Sequence, residues 1–141
     1  MFWIILIVIA VIVMLVMFTN DVSQDKEELR ESPLEQKFST LIHELNEYAY
    51  NGNGQVNKMN IREVSLYEPK QNHILHFIYH TGALTIVWSY KYFHKEVKHE
   101  KTIDEASNLS PQRQKQIADE LHLEMRQVIA DHQTKVQQGL K

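Results

Sequence analysis

Residues 73 to 93 read HILHFIYHTGALTIVWSYKYF. Large apolar side chains recur at every second position on either side of His80-Thr81-Gly82-Ala83, the pattern of two strands joined by a tight turn. A strand is expected over His73–His80 and another from Ala83 to about Phe93. Closing the hairpin at this turn sets Tyr79 opposite Leu84, Phe77 opposite Ile86 and Leu75 opposite Trp88.

Working upstream, Ile61 to Glu68 alternates in the same way, and Pro69-Lys70-Gln71-Asn72 supplies a four-residue turn closing on Glu68 and His73. This register puts Leu66 opposite Leu75 and Val64 opposite Phe77. Both turns therefore place the bulky residues on one face. A one-residue slip in either would send a whole strand's apolar set to the other side. The expectation is a three-stranded antiparallel meander.

Helical spacing flanks the meander. Leu34, Phe38, Leu41, Ile42, Leu45, Tyr48 and Ala49 form one stripe. Ser32-Pro33-Leu34-Glu35 supplies an N-cap, a first-position proline and a capping-box glutamate. Asn51-Gly52-Asn53-Gly54 ends the helix. A second stripe, Ile117, Leu121, Met125, Val128, Ile129 and Val136, follows Ser110-Pro111 and extends to about Gln137. Lys98 to Leu109 has little hydrophobic pattern and is assigned to a loop. The order helix, three strands, helix predicts an α+β domain with both helices on the Leu75/Phe77/Trp88 face.

Phe2 to Phe18 is a run of seventeen residues without a polar side chain. As a helix it would extend roughly 25 Å, near the lower limit for crossing a bilayer core. The expectation is a single-pass transmembrane anchor over residues 1–19, with lipid as the partner of residues 2–18. A polar tether over 20–32 and a small domain over 33–141 follow. A cleaved signal peptide is disfavoured by the lack of a basic region before the run and of a small-x-small site after it. A pilin-like segment would need a basic leader and an early glutamate. Lys26, Arg30 and Lys37 follow the run and no cation precedes it, which favours a cell-membrane protein with its domain on the cytoplasmic side.

Charge narrows the functional classes. Residues 1–19 carry no ionisable side chain, so the net charge of −3 belongs to the remainder. A mildly acidic domain is a poor general nucleic-acid binder. There is no cysteine, which excludes disulfides, thiolate metal sites and a thiol nucleophile. No phosphate-binding glycine loop, HExxH or nucleophile elbow occurs, so no catalytic residue and no cofactor are assigned.

Three groups of residues carry what chemistry is left. On the predicted register the second sheet face holds Ile61, Tyr67, Ile74, His76, Ile78 and Val87 among Glu63, Ser65, Thr85 and Ser89. That is more apolar than a face turned only to water, and such patches mark interaction surfaces. Tyr67, Ile74, His76, Ile78 and Val87 are the expected contact residues for a protein partner or a second copy of the chain. His76 with the diagonal Glu63 is a candidate metal pair, and the alternative function is a histidine-dependent metal-binding or small hydrolytic domain. Lys91, Lys95, Lys98 and Lys101 form a candidate basic patch for a lipid-contacting regulator, weighed against plain protection of a strand end by lysines. The leading expectation is a membrane-anchored, non-catalytic binding module.

Overall fold

A computed structural model describes the backbone of residues 1–31 and 33–139, and the side chains of these except 18–28 and 31. Helix α1 spans Phe2–Glu31, α2 Leu34–Lys37 and α3 Ser39–Tyr50. Five strands follow: β1 Gln55–Asn60, β2 Glu63–Tyr67, β3 His73–His80, β4 Ala83–Tyr92 and β5 Lys95–Ile103. A 3-10 turn over Ala106–Asn108 leads into α4, Pro111–Gly139. The sheet order is β1-β2-β3-β4-β5, antiparallel throughout.

The expected three-stranded meander is thus corrected to five strands, with β1 and β5 added at the edges. The central registers are as the alternation requires: Leu66 faces Leu75, Val64 faces Phe77, Phe77 faces Ile86 and Leu75 faces Trp88. Residues 98–103, assigned above to a loop, lie in β5.

The transmembrane anchor is also corrected. The first helix does form, but its apolar part ends with Phe18 and the backbone continues helically through polar residues to Glu31. Among the described residues no helix is long and apolar enough to cross a membrane. Seventeen residues give roughly 25 Å against a hydrocarbon core of roughly 30 Å. The single-pass assignment falls with it, as do the membrane localisation and the cytoplasmic orientation read from Lys26, Arg30 and Lys37. Residues 2–17 are exposed in the isolated chain. The end of α1 behaves differently, because Leu29 is 2% exposed and joins the core.

The helices pack on one face of the sheet. Val64, Leu66, Leu75, Phe77, Tyr79, Leu84, Ile86 and Trp88 are buried there against Leu41, Ile42 and Leu45 of α3 and Ile117, Leu121 and Met125 of α4. Helix α3 lies against β2, and α4 against α3, β4 and β5. All six residues of β1 are exposed, because no helix covers that edge.

Local chemistry explains the element ends. The first predicted helix is broken at Phe38 (φ −111°, ψ 31°), whose side chain is fully buried with its ring centroid 5.8 Å from that of Tyr79. The predicted cap Ser32 lies outside the described residues. Helix α3 ends through Asn51 in the left-handed conformation (φ 53°). Gly54 has no room for a side chain: a β-carbon there would lie 2.6 Å from both Asn46 Oδ1 and the Tyr50 ring. Ser110 caps α4 as expected, its Oγ accepting the Arg113 N–H at 3.1 Å.

Candidate functional site

The outer face of the sheet, opposite the helices, is the candidate site. Strand alternation and register place its side chains in rows running across the strands. One row is Gln55, Tyr67, Ile74, Ser89 and Lys98. The next is Asn57, Ser65, His76, Val87 and Glu100, and a third begins Glu63, Ile78, Thr85 and Thr102. Five of the residues singled out by sequence, Tyr67, Ile74, His76, Ile78 and Val87, therefore share this face. Ile61 does not: it sits in the β1–β2 turn and packs against the core.

Two depressions meet on the face. One, about 340 Å³, is lined by Ile74, His76, Val87, Ser89, Lys91 and Lys98, among others. The second, about 300 Å³, is lined by Asn57, Met59, Ser65, Tyr67, Ile74 and His76, among others. Gln71, Ile74 and His76 belong to both, so the pair makes one trough across the strands with Ile74 and His76 in its floor. Ile74 is 43% exposed, and Ser65 beside His76 is almost wholly buried. The His76 Nδ1 atom is shielded from solvent and has no hydrogen-bond partner among the described residues. An unpaired nitrogen in such a position costs free energy unless something else supplies the bond.

The proposed metal pair stays a pair. Glu63 faces Ile78 and His76 faces Ser65, so the two donors are diagonal neighbours. Among the described residues no cluster of three or more histidine or acidic side chains could hold an ion, whereas a stable zinc site takes at least three protein ligands.

The four lysines do not form one patch. Alternation turns Lys91 and Lys98 to the outer face, while Lys95 and Lys101 point to the helix side. Lys101 Nζ lies 2.8 Å from Glu124 Oε1 on α4, and His99 Nε2 lies 2.7 Å from Glu124 Oε2. The bond from Lys101, followed by that from His99, holds the Glu124 carboxyl below its ordinary pKa. The same contact raises Lys101. These groups fasten α4 to the sheet edge. Lys98 instead pairs with Glu96 at 3.5 Å on its own strand.

Two further clusters sit on the helix side. His73, placed there by its register, accepts the Trp88 Nε1–H on its Nδ1 at 3.0 Å, and burial lowers its pKa. The Tyr50 hydroxyl lies 2.8 Å from the carbonyl oxygen of Leu66 and 2.7 Å from that of His73, and burial raises its pKa. At the α3–α4 seam the Tyr48 hydroxyl donates to Asp119 and its ring stacks on His122 at 4.0 Å. Chiefly through that hydrogen bond, the Tyr48 pKa is pushed up to about 12. A phenol held protonated is no base or nucleophile near neutral pH. Both clusters bind elements together.

Sequence reasoning missed Gln55, Asn57, Glu100 and Thr102 on the outer face of the edge strands, and it singled out Lys98 for a basic patch and not for this face. A signal was present in β5, where Glu96, Lys98, Glu100 and Thr102 alternate with Val97, His99, Lys101 and Ile103. No protein-family model matches the chain, and neither a curated protein nor a solved structure shows significant similarity to it.

Proposed function

We propose that the chain is a non-catalytic binding module that holds a protein partner on the outer face of its sheet. The observation that carries this reading is the trough floored by Ile74 and His76 on a five-stranded face that none of the packed helices covers. An antiparallel sheet with one packed face turns polar residues to water on the other. Here Tyr67 and Ile74 instead lie side by side in one row, Val87 stands beside His76 in the next and Ile78 follows in the third, around the centre of that second face. Charged residues stand around them at Glu63, Lys91, Lys98 and Glu100, the layout of an apolar centre with a polar rim. The basic-patch reading has less support, since its lysines divide between two faces. The metal reading has two donors.

The test is photo-crosslinking of the full chain in the cell that makes it. A photoactivatable aromatic residue replaces Ile74, Ile78 or, as a control on the helix side, the exposed Lys115. Discrete adducts are expected from the two sheet positions and none from Lys115. Absence of any adduct at positions 74 and 78 sinks the proposal.

A further inference from the structure

We propose that the occupant of the outer sheet face is a second copy of this chain, packed face to face about a two-fold axis through His76. The inference rests on the reading of that face as a binding surface and names its partner.

Three observations point to a copy. The first is the mixture of charge. Lys91 and Lys98 share the face with Glu63, Glu96 and Glu100, and Glu96 and Lys98 are already paired. A partner with a strongly acidic or strongly basic surface would meet as much repulsion as attraction here. A copy brings the same near balance, and an isologous contact needs a surface that tolerates itself.

The second is area. Five strands spaced about 4.8 Å apart and three rows of outward residues cover roughly 24 Å by 20 Å. Counted on both copies that is roughly 1,000 Å² before side-chain relief is added, the area that a specific interface must at least clear. Two sheets with apolar inner faces pack in this manner about 10 Å apart in β-sandwiches.

The third is His76. It lies in the middle row of the middle strand, so any two-fold axis in the interface plane through the centre of the face brings the two His76 rings together. Its Nδ1 has no partner among the described residues. Two imidazoles related by a dyad can bond to each other, one ring nitrogen donating and the other accepting, once the rings turn to present them. Turning the ring about χ2 thus brings the shielded Nδ1 to the axis, where a copy supplies the bond it lacks.

Residues 2–17 form a separate apolar surface, so association is read at the sheet face itself. The chain has no cysteine, and a single Ile78→Cys reporter in the full-length protein is treated with a bis-maleimide spanning about 20 Å, long enough for either direction of the axis, since position 78 lies about 7 Å from His76 along the strand. A product of twice the chain mass is expected, and none from a Lys115→Cys control. Adding His76→Asp or His76→Lys to the reporter should each reduce the product at least tenfold. Mixing the two variants should restore it, because opposite charges then meet at the axis, and restoration also shows that both variants are folded. Two outcomes overturn the dimer. One is no product although the reporter cysteine reacts freely with a monofunctional maleimide. The other is product that persists in the separate His76 variants. If the in-cell adducts at positions 74 and 78 then have another mass, the binding surface stands and only its occupant changes. If there are no such adducts, both proposals fall.

Discussion

Gln114 of α4 caps α3 from 73 residues away: its Oε1 accepts the Leu41 backbone N–H at 3.1 Å. No side chain of the local sequence performs this task, since the N-cap position is Phe38. The Gln114 Nε2 donates in turn towards the Lys37 and Leu109 carbonyl oxygens at 3.1 and 3.2 Å, and the residue is 4% exposed. Replacing it by leucine leaves a buried N–H and two carbonyls without this partner. Gln114→Leu should lower unfolding stability by about 2–4 kcal/mol. Urea denaturation measures it, and a loss under about 0.5 kcal/mol would mean that the amide is dispensable.

The two ends of α1 should behave oppositely. Leu29 is in the core, so Leu29→Ala should cost about 2–4 kcal/mol by the loss of buried side-chain volume. Residues 2–17 bury nothing against the domain, so removing them should leave the thermal midpoint within about 2 °C. Calorimetry on the two variants separates these effects. A large fall in midpoint on truncation would show that the apolar segment packs on the fold.

His73 predicts an acid-side instability. Its folded pKa is lowered from 6.5 by burial, so the unfolded chain binds the proton more readily. Its contribution is complete above pH 6.5, and stability is lost as pH falls below that value towards the folded pKa. Protonating Nδ1 also removes the acceptor for Trp88. His73→Asn, which keeps an acceptor but does not titrate, should flatten the slope of stability against pH between about 6.5 and 5. Chemical denaturation followed by tryptophan emission at a series of pH values gives both slopes, and equal slopes would assign the effect to other groups.

The β4–β5 turn holds Phe93 and His94 at φ 49° and 62°, a conformation in which non-glycine residues are strained. The two residues close a hairpin in which Tyr92 faces Lys95, the geometry that Asn-Gly satisfies with least strain. Replacing Phe93-His94 with Asn-Gly should therefore raise stability by about 1 kcal/mol. A denaturation midpoint that falls instead would show that the Phe93 ring, 4.6 Å from that of Tyr92, contributes more than the strain removes.

What was legible in the sequence was what a covered surface writes into it. β2, β3 and β4 have a helix-covered face, so their alternation is plain and their registers follow from it. β1 reads Gln-Val-Asn-Lys-Met-Asn and is exposed on both sides, so no periodicity was imposed on it. β5 is covered by α4, yet its inward positions include His99 and Lys101. Glu124 satisfies those two side chains from a distant helix, and their polarity hid the alternation. The turn before β5 was silent because Phe93-His94 is an uncommon pair for left-handed backbone. The apolar residues of the outer face could be read once the central register was known. Its trough and the unpaired His76 nitrogen could not, since they depend on how rows from five strands come together. The N-terminal run was read for composition more than for length, and length decided the outcome.

Every strand of the sheet pairs with its neighbour in sequence, and this sets an order of assembly. Four hairpins can close one after another as the chain leaves the ribosome, each joining segments separated by a short loop, the kind of contact that forms fast. Helix α4, which completes the cover of the inner face, is made after all five strands. Until residues 111–139 emerge, Trp88 and Ile86 of β4 lack their α4 cover. The growing chain therefore passes through a stage in which both faces of the nascent sheet are sticky, and the speed of synthesis through residues 104–139 governs how long that stage lasts.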